Sequence, residues 1–154
     1  GIDYEHPDKK PIADFEQYFA MFHKHLELRE GQEVHFELGR AVVAQCGTLI
    51  TKVLYVKEGQ KKKFAIVDAG MNDLIRPALY HAYHKIENIS SDAPTQQYDV
   101  VGPVCESSDC FGKATVLNET KRGDFIAIRS AGAYGEVMSS RYNLRKIAET
   151  HFSK

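Results

Sequence analysis

Apolar residues recur at Ile12, Phe15, Phe19, Phe22 and Leu26, a spacing of three and four that lines one face of a helix. The spacing predicts a helix over residues 12–28, with Pro11 suited to the first turn, Asp14 and Glu16 favouring its positive end, and Gly31 stopping it. Val34, Phe36 and Leu38 then alternate with His35 and Glu37, which predicts a short strand running into Gly39-Arg40. A helix followed by a strand is the repeating unit of an α/β barrel of the TIM type, and one such unit cannot bury its own faces. Residues 1–40 therefore read as the last helix and strand of an incomplete α/β barrel.

From Ala41 onward the pattern is different. Residues 46–56 are rich in β-branched side chains, Glu58-Gly59-Gln60 with Lys61, Lys62 and Lys63 predicts a polar hairpin tip, and residues 64–67 return as a strand. A turn-rich loop follows at 68–73, then a short helix over 74–83 begun near Pro77. Residues 85–89, 96–104, 114–117 and 124–129 are further strands, and 131–142 is a loop with a helical turn. Residues 41–154 are thus expected to be mainly β, an antiparallel β-domain or barrel.

Composition narrows the class. At 43% hydrophobic and 27% charged the chain can bury an ordinary core, and its net charge of −1 argues against a nucleic-acid or anionic-membrane surface, either of which needs a basic excess. No apolar run approaches the roughly 20 residues of a membrane helix and no signal peptide opens the chain, so a cytoplasmic location is expected. Three cysteines, Cys46, Cys105 and Cys110, are an odd number in no zinc spacing, which argues against a disulfide framework or a structural metal site. Cys46 and Cys110 are expected to be buried as small apolar side chains. The chain opens on Gly1-Ile2-Asp3-Tyr4, without Met and with an alternation already under way, which suggests a piece of a longer protein.

Candidate chemistry concentrates at residues 100–110, VVGPVCESSDC, where residues 105–109 crowd a thiol, two carboxylates and two hydroxyls behind a Gly-Pro pair that stops regular structure. Composition alone favours an acidic surface turn with an incidental cysteine. Three other segments stand out: His35-Phe36-Glu37-Leu38-Gly39-Arg40, Asp68-Ala69-Gly70-Met71-Asn72-Asp73 with Arg76 and Tyr80 after it, and Ser130-Ala131-Gly132-Ala133-Tyr134-Gly135. Each alone admits a plain reading: a strand end with a surface arginine, core positions for Leu79 and Tyr80, a flexible loop with an exposed tyrosine. The seven histidines, His6, His23, His25, His35, His81, His84 and His151, are scattered and read as surface or helix-face residues.

Together, and in this order, the four segments resemble the pyridoxal-phosphate (PLP) amino-acid decarboxylases with an alanine-racemase-like fold. Gly102-Pro103-Val104-Cys105-Glu106-Ser107-Ser108-Asp109 is similar to the second signature of that family, and Glu106 after the cysteine resembles the branch acting on diaminopimelate. Glu37-Leu38-Gly39-Arg40 resembles the Glu-Pro-Gly-Arg that closes the last barrel strand, with Leu38 where proline is usual.

The resemblance implies a role for each residue. Glu37, Gly39, Arg40 and Tyr134 would hold the cofactor PLP, with Gly39 allowing the backbone close to its phosphate. Arg40, Arg76, Tyr80, Glu106 and Tyr134 would bind substrate, the arginines at a carboxylate and Glu106 at the distal ammonium. Cys105 would be catalytic, acting on the carbon that loses CO2, and Cys105 and Glu106 would reach across a homodimer interface into the partner's site. Asp109 and Ser107 would fix the loop. The cofactor lysine and a ring-stacking histidine of the family would precede Gly1. The expected activity is conversion of the small-molecule substrate meso-2,6-diaminopimelate to L-lysine and CO2. The rivals are a decarboxylase of the same family acting on another diamino acid or carboxynorspermidine, and a non-catalytic binding or assembly module.

Overall fold

A computed structural model describes residues 2–6 and 14–153. Pro11 and Ile12, counted above in the first helix, lie outside them. Helix α1, Phe15–His25, is capped by Asp14, whose carboxylate accepts from the backbone N–H of Gln17 at 2.9 Å. It stops three residues short of the expected end, with Leu26 already extended. The reversal comes later, at Gly31 with φ +78°, and it brings Phe36 back over α1 at 4.8 Å from the rings of both Phe19 and Phe22. No residue of α1 is buried.

The strand expected at 34–38 does not form; residues 32–39 run as exposed, irregular chain. A strand needs a neighbour for its N–H and C=O groups, and none of the described residues pairs with this one. A 3-10 turn, Arg40–Val42, leads into the β-domain.

Six strands follow: β1 Leu49–Glu58, β2 Lys63–Val67, β3 Ile86–Asn88, β4 Thr95–Val101, β5 Cys110–Asn118 and β6 Phe125–Ile128, with helix α2, Arg76–Tyr80, between β2 and β3. They form one sheet in the order β3-β6-β1-β2-β4-β5. Ile86 of β3 comes back against Gly112 of β5, so the sheet curls into a nearly closed barrel, as the alternating pattern predicts. β1 pairs with β6 through Leu49–Lys52 and with β2 through its second half, with an irregularity between Val53 and Tyr55. One pairing departs from the antiparallel expectation: β2 runs parallel to β4, because the 68–73 loop, α2 and β3 lie between them and form a crossover. The hairpin tip is where the lysines put it, closed by the N–H of Gly59 on the carbonyl of Lys62 at 2.8 Å.

The core is the inward face of these strands, led by Val53, Val67, Tyr98, Val100, Ile126 and Ile128, all at most 2% exposed. Cys46 is not part of it. It lies exposed in the turn before β1, its thiol donating to the carbonyl of Val43 at 2.9 Å, because β1 begins at Leu49 rather than at 46. Cys110 is half-buried, and that burial pushes its thiol pKa up. Among the described residues no helix is long and apolar enough to cross a membrane, and no cluster of His, Cys, Asp and Glu could hold a metal.

Candidate functional site

The loop after β2 is clasped to β1 at its start. The carboxylate of Asp68 accepts from the Thr51 hydroxyl at 2.5 Å and the Lys52 N–H at 2.8 Å, while Thr51 Oγ1 accepts from the N–H of Ala69 at 2.8 Å. Gly70 is required by crowding: a Cβ there would lie 2.7 Å from Asn72 Oδ1 and 3.1 Å from Val104. The loop delivers the chain into α2, where Pro77 fits the first turn and His81 ends the helix at φ 52°. Arg76 and Tyr80, four residues apart, share a face, and the guanidinium lies 5.8 Å from the ring centroid of Tyr80.

That face opens on a cavity of about 510 Å3 lined by Tyr4, Arg40, Arg76, Tyr80, Ala82, Tyr83, Tyr134 and Met138. Arg40 and Tyr134 meet there because the segments carrying them are bonded together: the N–H groups of Ala131 and Gly132 donate to the carbonyls of Gly47 and Ala44 at 2.8 and 2.9 Å. A side chain at Gly132 would collide with the Val43 carbonyl, so the glycine before Tyr134 is a packing requirement and the segment is docked. Arg40 Nη1 donates to the Tyr4 hydroxyl at 3.1 Å.

The lining holds two guanidinium groups, four phenols and no carboxylate. Arg76 is 6% exposed, and its Nε is buried with no hydrogen-bond partner. A buried cationic donor without an acceptor is a place for an anion. Behind it His84, 2% exposed, contacts the Arg129 carbonyl through Nδ1 at 2.9 Å; burial first, and then Arg76 and Arg40, hold its pKa below the usual value, so it stays neutral. Burial and a hydrogen bond to Glu5 push the Tyr83 phenol up to about 12.

Cys105 and Glu106 are elsewhere. The 102–109 loop joins β4 to β5 and is built around Asp109, 3% exposed, whose carboxylate accepts from the N–H groups of Val104 and Met71, each at 2.7 Å. Burial pushes the Asp109 pKa up, opposed by those two N–H groups and by Arg145. Cys105 and Glu106 sit exposed on the outside of this turn, and Glu106 Oε1 accepts from the Tyr142 hydroxyl at 2.5 Å. Neither lines the Arg76 cavity; the loop borders an adjoining cleft of about 350 Å3 with Pro77, His81 and Phe111, and Ala82 lies in the wall of both. Asp109 fixes the loop as expected, but Ser108 rather than Ser107 reaches its neighbour, donating to Met71 Sδ at 3.4 Å. Glu37 and Gly39 are exposed and stand outside the cavity wall, three residues and one residue before Arg40, and a Cβ on Gly39 would meet nothing within 4 Å.

Of the residues singled out in the sequence, the structure brings Arg40, Arg76, Tyr80 and Tyr134 together and leaves Cys105 and Glu106 apart from them. Tyr4, Tyr83, His84 and Tyr142 were not singled out for a site. His84 is buried, not on a surface or helix face, and Tyr83 and Tyr142 stand in no motif that marks them.

Residues 12–132 match the family described as the C-terminal sheet domain of pyridoxal-dependent decarboxylases. The chain belongs to that family. Among curated relatives, the diaminopimelate decarboxylase of Bacteroides thetaiotaomicron is 65% identical over 153 residues, covering 99% of this chain and 40% of the relative. That of Helicobacter pylori is 48% identical over 147 residues, covering 94% and 35%. The crystal structure of a diaminopimelate decarboxylase from Helicobacter pylori complexed with L-lysine superposes with a TM-score of 0.74 at 47% identity, over 93% of this chain and 34% of that one. The chain thus spans about two fifths or less of the length of these decarboxylases. For a pyridoxal-dependent family the cavity fits the cofactor's anionic end: Arg40 and the Tyr134 hydroxyl are exposed donors at a site whose lining carries no competing carboxylate.

Proposed function

We propose that this chain is the C-terminal part of a meso-2,6-diaminopimelate decarboxylase of lysine biosynthesis, yielding L-lysine and CO2 in the cytoplasm. Residues 1–40 belong to the end of its cofactor-binding α/β barrel and residues 41–154 form its β-domain. The observation that carries this reading is the division of the site residues: Arg40, Arg76, Tyr80 and Tyr134 converge on one carboxylate-free cavity, whereas Cys105 and Glu106 form no part of its lining. A site that uses both sets draws them from two copies, so the enzyme is a homodimer with its active sites at the interface.

Arg40 and Tyr134 would hold the phosphate of PLP. When bound, PLP supplies an electron sink for the pair released as the bond to CO2 breaks. Arg76, backed by Tyr80, takes the substrate's distal carboxylate as a two-pronged donor. Glu106 of the partner copy pairs the distal ammonium. With both ends of the distal amino acid clamped, the reacting end is oriented and most of its freedom is removed before the bond breaks. The Cys105 thiol delivers a proton to the carbon that has lost CO2.

The test is complementation in the whole enzyme between two inactive variants, Arg76→Met and Cys105→Ala. After subunit exchange each heterodimer holds one site with both groups intact. Random exchange at equal amounts makes half the dimers heterodimers with one good site in two, so about a quarter of wild-type activity should return. No recovery would put Cys105 and Arg76 in the same chain's site and end the shared-site reading.

A further inference from the structure

The segment that follows Tyr134 carries a feature none of the four motifs includes. Asn143 and Leu144 are consecutive residues with φ of 58° and 59°, and Leu144 is 99% exposed, so its side chain gains nothing from the conformation. Left-handed backbone at a bulky residue is an outlier, and such strain persists where the surroundings over-determine it. Here they do. Ser140 N–H donates to the Asn72 carbonyl at 2.9 Å, Arg145 Nη2 donates to the Asp68 carbonyl, and the same guanidinium stands 3.8 Å from the Asp73 carboxylate. The segment is held to the 68–73 loop on both sides of the strained pair, and that loop is tied through the Met71 N–H to Asp109. Between the two anchors Tyr142 is aimed at Glu106. Its hydroxyl is the one hydrogen-bond partner of the Glu106 carboxylate among the described residues.

We propose that Tyr142 is a positioning residue for substrate selection: it fixes the rotamer of Glu106 through Oε1 and leaves Oε2 to receive the distal ammonium of the substrate. This rests on the reading of Glu106 given above. An exposed glutamate samples many rotamers and loses that freedom on pairing; one already held by a hydrogen bond, on a backbone braced by Asp109, has less to lose. The geometry suits a positioning role because a phenol donates a single hydrogen and carries no charge, so it orients the carboxylate without cancelling it. The Tyr142 phenol, pushed above its usual pKa by the hydrogen bond to Glu106, keeps its proton at any working pH.

The experiment compares Tyr142→Phe, Glu106→Gln and the double variant in the whole enzyme, measuring kcat and KM for meso-diaminopimelate and the inhibition constant of L-lysine, which keeps the distal ammonium. Removing one immobilising contact from a flexible side chain corresponds to roughly a 3- to 10-fold change. Tyr142→Phe should therefore raise KM and weaken lysine inhibition by about that factor with kcat nearly unchanged. It should have no further effect on top of Glu106→Gln. Equal losses in both backgrounds, or a fall in kcat with KM unmoved, would make Tyr142 a structural residue and overturn the proposal. So would unchanged kinetics of Tyr142→Phe where Glu106→Gln is impaired. If Glu106→Gln is itself silent, the ammonium-pairing reading fails, and this proposal with it. Unchanged melting of Tyr142→Phe is expected, since the ring is retained and half-exposed.

Discussion

Gly102→Ala adds one methyl group and should act through Asp109. A Cβ at Gly102 would lie 2.6 Å from Asp109 Cγ and closer still to both carboxylate oxygens. The carboxylate cannot swing aside freely, because its oxygens hold the N–H groups of Met71 and Val104 at 2.7 Å. A retreat of roughly 0.5–1 Å stretches both bonds beyond the ordinary N–H···O range. A hydrogen bond to a charged group contributes about 1.5–3 kcal/mol net, so losing both should cost about 3–6 kcal/mol. The loss is local first. Hydrogen exchange should quicken in peptides covering Met71 and Val104 before the strands respond, and the denaturation midpoint should drop. Asp109→Ala removes the same two bonds and gives a thermodynamic cycle. On that background Gly102→Ala has no carboxylate to displace and should add almost nothing. Costs that simply add would show that Gly102 acts through its own backbone, and a cost under about 1 kcal/mol would show that the carboxylate is not locked.

His84 should make the fold acid-sensitive. Its folded pKa lies below the ordinary 6.5, so as pH falls through 6.5 the unfolded chain takes up the proton first and stability drops until the folded value is passed; His84→Gln should flatten denaturation midpoints across that window, and an unchanged pH profile would refute the assignment. Cys105→Ala in the whole enzyme should leave cofactor absorbance near normal while kcat falls by roughly 100-fold or more, as expected for a proton donor; loss of cofactor with a normal rate per bound PLP would make the thiol structural. Glu106→Gln should raise KM for meso-diaminopimelate much more than for an analogue lacking the distal ammonium, because an amide supplies no charge; equal effects on both would separate Glu106 from that group.

Most of the local architecture is legible in the sequence because it is set by local rules. Three lysines after Glu58-Gly59 make a hairpin tip in any sheet, and the Phe15-Phe19-Phe22 spacing makes a helix with or without a neighbour. What fails is what depends on a distant partner. Residues 34–38 alternate as a strand should, yet a strand is defined by pairing, and none of the described residues supplies it. The parallel β2-β4 contact is invisible for the same reason, since each strand alone looks the same in either direction. The site divides likewise. Arg40, Arg76, Tyr80 and Tyr134 stand in recognisable motifs, but their convergence on one cavity depends on β1 pairing and on the close approach of Gly132 to residues 43–47. His84 and Tyr142 carry no local mark: one is significant because it is buried behind Arg76, the other because of a single hydrogen bond 36 residues away.

β1 is shared, its first half bonded to β6 and its second to β2. The segment carrying Tyr134 follows β6 and the segment carrying Arg76 follows β2, so the distance between the two sides of the cavity is set by one strand acting as a ruler. Each residue inserted into β1 between the two pairings would lengthen that ruler by about 3.3 Å and turn one half of the barrel inside out relative to the other. Length changes should therefore be free at the 59–62 tip and forbidden a few residues away, between Lys52 and Val56. For anyone re-engineering this domain, the walls of the cavity can be changed one side chain at a time, but its width is tied to the register of the whole barrel.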